Sequence, residues 1–108
     1  MKVLYRTKVW KFNDSLLRPL LPREYQLNVL EDRFILKFEP EIEVLYKNVK
    51  EVTSQGLYVI IIMKDGNELI FEVPNPIQLV PAAYDAEVIK HAADLAEKMS
   101  HFLLRAGK

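Results

Sequence analysis

The sequence predicts an α+β domain: a seven-stranded antiparallel sheet, closed or strongly curved, capped by one C-terminal amphipathic helix. Three observations carry this. Short runs of alternating apolar residues, separated by turn formers, fill residues 2–73 with no helical period among them. Asp65-Gly66 sits between two β-prone runs, a strong hairpin signal because glycine supplies the positive φ that tight turns need. Beyond residue 82 the period changes: Val88, Ala92, Leu95, Met99, Phe102 and Ala106 recur at helical spacing.

Taken in order, Lys2–Phe12 alternates, with Val3, Tyr5, Thr7 and Val9 on one face and Leu4, Arg6, Lys8, Trp10 and Phe12 on the other. Asn13-Asp14-Ser15 breaks that strand, because such side chains bond their own backbone. Tyr25, Leu27 and Val29 mark a second strand, and Glu31-Asp32-Arg33 turns the chain. Phe34, Leu36 and Phe38 form a third, which Pro40 ends. A fourth turns Ile42, Val44 and Tyr46 inward and Glu41 and Glu43 outward. Lys47-Asn48 is a tight link to a short fifth strand, Val49–Ser54, using Val49 or Val52. The hairpin supplies strands six and seven. Asn75-Pro76-Ile77-Gln78 has the chemistry of a helix start, but Pro81 limits it to a turn, so 74–81 is a connection. The long helix then runs from about 82 to 106. Glu87, His91, Asp94, Lys98, His101 and Arg105 form its polar stripe, and Gly107 stops it.

A two-residue Asp65-Gly66 turn fixes a register in which Met63 faces Glu68, Ile61 faces Ile70 and Val59 faces Glu72. Tyr58, Ile60 and Ile62 then join Leu69, Phe71 and Val73 on the core face. The other face carries Val59, Ile61, Met63 and Ile70, which a solvated face should not. The expected cover is a second copy or another protein, so these four are candidate self-association residues. A one-residue slip would exchange the faces, and the proline-rich segment 74–81 is an alternative cover.

With 108 residues, half of them hydrophobic, the chain suits one domain spanning 1–108 with a single core. It has no cysteine, which excludes disulfides, thiolate metal sites and cysteine nucleophiles. The longest apolar run, Leu57–Met63, is too short to span a membrane, and the N-terminus does not read as a signal peptide. A cytoplasmic setting is expected. Zero net charge argues against nucleic acid as a partner, including a base-stacking platform of Tyr5, Trp10 and Tyr58. Charge is nevertheless uneven: residues 1–23 hold six basic side chains against one acid, and the remainder is net −5.

Ser15–Arg23 carries four leucines, two prolines and two arginines. It is either a plug over the end of the sheet or a contact surface. In the second case Leu16, Leu17, Leu20 and Leu21 insert, and Lys8, Lys11, Arg18 and Arg23 meet an anionic membrane surface or phospholipid.

Four stretches, VLYRTKVW (Val3–Trp10), YQLNVLEDRFILKF (Tyr25–Phe38), YKNVKEV (Tyr46–Val52) and IIIMKDGNELIFEVPNP (Ile60–Pro76), occur in this order and cover most of the chain. Together they resemble bacterial and archaeal members of the pleckstrin-homology-like superfamily. Asn28 departs from the usual threonine, and 13–23 is a short leucine-proline loop in place of the longer, sometimes membrane-spanning segment of other members. The resemblance implies a barrel of two curved sheets and a non-catalytic binding module for phosphoinositides, peptides or like domains. Its usual Lys…Arg-x-Arg spacing is not matched, since Glu24 and Tyr25 follow Arg23. Generic anion attraction is what remains.

Catalytic chemistry is not expected. His91 and His101 are about 15 Å apart by helical rise and cannot share a metal within one chain. Glu39, Glu41 and Glu43 alternate along a strand as solvated carboxylates do. Gly56, Gly66 and Gly107 are the only glycines, and no phosphate loop or nucleophile elbow is present. No cofactor and no metal are expected.

Overall fold

The computed structural model describes residues 2–12, 24–74 and 86–106. Seven strands, β1 (Tyr5–Lys11), β2 (Tyr25–Val29), β3 (Arg33–Leu36), β4 (Ile42–Leu45), β5 (Val49–Gln55), β6 (Tyr58–Met63) and β7 (Glu68–Glu72), precede one helix, α1 (Ala86–Ala106). They form one antiparallel sheet in the order β4-β3-β2-β1-β7-β6-β5. The sheet is not closed: among the described strands, β4 and β5 are its edges. The connecting segment 75–85, the loop 13–23 and the Gly107 stop lie outside the described residues.

The first strand joins two halves. Its residues Tyr5–Val9 pair with β2, while Trp10 and Lys11 pair with Glu72 and Phe71 of β7. Alternation placed the core correctly in β2 to β4, where Leu27, Val29, Phe34, Leu36, Phe38, Val44 and Tyr46 are buried. The Phe34 and Tyr46 rings meet edge-on at 4.7 Å between centroids.

In β5 both Val49 and Val52 are buried, although residues three apart on a regular strand point to opposite faces. A bulge between Val49 and Glu51 absorbs one residue and brings both valines inward. The Lys47-Asn48 link is a single 3-10 turn, Tyr46–Asn48.

The β6–β7 register departs by one residue from the expected one. Val59 pairs with Phe71, Ile60 with Ile70 and Ile61 with Leu69. The connection is a three-residue loop, Lys64-Asp65-Gly66, not the two-residue turn. The Gly66 amide donates to the Met63 carbonyl at 3.0 Å, and the Met63 amide donates to the Asn67 carbonyl at 2.8 Å. Gly66 takes the left-handed position at φ 93°. Asp65 secures the loop by accepting from the Asn67 amide at 2.9 Å and from its side-chain nitrogen at 3.0 Å. Gly66→Ala is expected to cost about 1–2 kcal/mol, because a Cβ is disfavoured at that φ. Urea unfolding measures it, and an unchanged midpoint would contradict the loop geometry.

Helix α1 lays Val88, Ala92, Leu95, Ala96 and Met99 onto the core side of β5 and β6. Its polar stripe, including His91 and His101, is exposed. The Ser100 hydroxyl lies 3.0 Å from the Val52 carbonyl of β5 and 2.8 Å from the Ala96 carbonyl of its own helix, and its single proton can be donated to either.

Candidate functional site

Two surfaces come out of this arrangement. The first is the outward face of β6 and β7. Because the register is displaced, the proposed self-association set does not hold together. Val59 and Ile61 are 0% exposed within the core, and Met63 packs against it. Only Ile70 of the four points outward. The outward set is Ile60 and Ile62 with Ile70, joined by Tyr58, which also packs against the edge of the core cluster; all four are half-buried. Phe12, 47% exposed, extends it, with its ring 5.2 Å from that of Tyr58. Trp10 and Glu72 face each other on this same side and are buried. Burial foremost, and then the Glu72 charge, raise the Tyr58 phenol above its ordinary value.

The second is a cleft of about 680 Å³. Three connections and the end of α1 frame it: Glu31, Asp32 and Arg33 at the β2–β3 turn; Leu45, Tyr46, Lys47, Val49 and Lys50 around the 3-10 turn; Lys64 of the β6–β7 loop; and Leu103, Leu104 and Ala106. Backbone hydrogen bonds pin the frame. The Tyr46 amide donates to the Asp32 carbonyl at 3.0 Å, and the Lys64 amide donates to the Asn48 carbonyl at 2.9 Å. The Tyr46 hydroxyl also donates to the Leu30 carbonyl. Burial pushes the Tyr46 phenol far above its ordinary range, helped by the nearby Asp32 charge.

Charges on the cleft divide into two groups. Arg33 is engaged, with Asp32 at 2.9 Å and Glu43 at 3.5 Å. The Arg33 hydrogen bonds hold the Asp32 carboxyl below its ordinary value, and those same bonds raise Arg33. Lys47, Lys50 and Lys64 form no ion pair among the described residues. Lining the same space are Leu45, Val49 and Leu103, with Leu104 70% exposed.

Of the basic, leucine-rich set, Arg18, Arg23, Leu16, Leu17, Leu20 and Leu21 lie outside the described residues. Lys8 sits 3.3 Å from Glu24. Lys11 lies over the rings of Tyr25 and Phe38, at 5.2 and 5.9 Å, and donates to the Glu39 carbonyl at 3.4 Å. Glu41 and Glu43 are matched by Lys37 at 2.8 Å and Arg33. Among the described residues no group of three side chains suits a metal ion, and no helix is long and apolar enough to cross a membrane. One sequence signal points to the cleft: lysines sit in or beside two of the tightest connections, at 47, 50 and 64. No protein-family model matches the chain, and no curated protein matches it.

Proposed function

We propose that the chain is a pleckstrin-homology-like module that acts by binding rather than by catalysis, and that it self-associates through the outward face of β6 and β7. The strand order and the C-terminal helix packed on β5 and β6 support the superfamily assignment. One observation carries the association: β6 is apolar on both faces, and among the described residues α1 packs on the core side, not on the other. Ile60 and Ile70 stand directly opposite each other, with Ile62, Tyr58 and Phe12 around them. A two-fold pair of copies brings this patch against itself, which removes apolar area from water on both sides at once.

The membrane reading through Lys8, Lys11, Arg18 and Arg23 has weaker support, since both described lysines already have local partners. Light scattering after size exclusion tests the association. Wild type is expected to show twice the monomer mass, and the Ile60→Lys, Ile70→Lys double variant the monomer mass with an unchanged circular dichroism spectrum. A monomeric wild type at high concentration, or a double variant that stays dimeric, would end the proposal.

A further inference from the structure

The lysine-rimmed cleft is independent of the β6–β7 face, and nothing in the association uses it. We infer that it receives a short acidic segment of a partner protein, with carboxylates on the rim and a large apolar side chain on the floor. Its size suits this: about 680 Å³ lies within the range of small-ligand pockets and holds a few residues of peptide. Its charge suits it as well. Arg33 holds Asp32, which leaves Lys47, Lys50 and Lys64 against Glu31 among the described lining residues.

These three cations come from the 3-10 turn, β5 and the β6–β7 loop, and the Lys64–Asn48 backbone bond keeps them grouped. Holding like charges together is unfavourable until an anion arrives. The floor of Leu45, Val49 and Leu103, with Leu104 standing 70% exposed, gives the segment an apolar anchor point.

The same lining argues against a phosphate group. Among the described lining residues the one guanidinium, Arg33, is already engaged with two carboxylates, so it offers no free fork for a dianion. The end of α1 at Ala106 borders the cleft, and the carbonyls of a helix C-terminus repel concentrated negative charge. Separate monovalent carboxylates, each beside its own lysine, fit this field better than one doubly charged centre.

Fluorescence anisotropy tests the inference with a labelled hexapeptide that carries leucine and phenylalanine between glutamate pairs. Wild type is expected to bind it and to bind a glutamine-substituted copy roughly tenfold more weakly. Lys47→Glu with Lys64→Glu is expected to weaken binding roughly tenfold or more, Leu104→Asp likewise, and Lys90→Glu, near the opposite end of α1, not at all. Amide shifts on titration should centre on Lys47, Lys50, Lys64 and Leu104, and they report the site even if one variant is poorly folded. Equal binding of both peptides overturns the proposal, as does an unaffected Lys47→Glu, Lys64→Glu protein. Preferential capture of inorganic phosphate or of anionic phospholipid vesicles at the same lysines would also overturn it, in favour of a phosphate site.

Discussion

Ile61→Lys is expected to leave little folded protein, whereas Ile60→Lys, one position earlier, is expected to fold. Ile61 is wholly buried opposite Leu69, while Ile60 faces outward between Thr53 and Ile70. Removing the isoleucine packing alone costs about 2–5 kcal/mol. A lysine held there must also surrender its charge, and a depression of about 3–5 pKa units corresponds to roughly 4–7 kcal/mol. The sum, about 6–12 kcal/mol, is comparable to the ~5–15 kcal/mol that holds a domain of this size together. Ile60 is only half-buried, so a lysine there keeps access to water, and the expected cost within one protomer is ~1 kcal/mol or less, the span of strand preference, apart from the lost association. Thermal unfolding followed by circular dichroism separates the two. A two-residue Asp65-Gly66 turn predicts the reverse, so a stable Ile61→Lys beside an unfolded Ile60→Lys would refute the register.

Stability is expected to fall as pH rises above about 10, and Tyr46 is expected to contribute most of that fall. Its phenol is raised above the ordinary 10.0 by burial, and further by the Asp32 charge. The unfolded chain therefore releases this proton at a lower pH than the folded one. Above pH 10 the folded state binds more protons, so stability declines with pH; below that value the full contribution is present. Tyr58 is raised for the same first reason and adds to the same limb. Tyr46→Phe removes the hydrogen bond to the Leu30 carbonyl and should cost about 1–2 kcal/mol near neutral pH. Its alkaline decline, however, should be shallower than that of wild type. Thermal midpoints measured from neutral pH upward, with phenolate absorbance recorded alongside, decide the matter. Parallel alkaline limbs for the two proteins would exclude Tyr46 as the source.

What the sequence made legible was periodicity within each element. Tyr25, Leu27 and Val29, or Val88, Ala92, Leu95 and Met99, each share a face because backbone geometry alone dictates it. Registers between elements were less accessible. Asp-Gly suits both a two-residue turn and a three-residue loop with glycine in the left-handed position, and no residue of the loop decides between them. The choice is made by distant packing, which sets Val59 beside Phe71 and buries both. The valines of β5 posed the same difficulty, since a bulge has no required residue type and Val49 and Val52 could not both be assigned inward by alternation. The cleft was least legible. Lysines in or beside two tight connections hint at a basic rim, but Leu104 carries no such signal, and the path of the chain through three connections and a helix end is what gathers them.

The sheet with two ends has a bearing on what the molecule must avoid. An uncovered strand edge offers a row of backbone donors and acceptors to any passing chain, which is how sheets grow into aggregates. Here β4 is only four residues long and carries Glu43 outward, while β5 is kinked by its bulge and bears exposed Lys50, Glu51, Thr53 and Gln55. A short edge and a bent, charged one both make poor templates for a further strand. Growth along the sheet is thereby discouraged, and in the proposed association contact between copies falls instead to a face, where it would end with the second molecule.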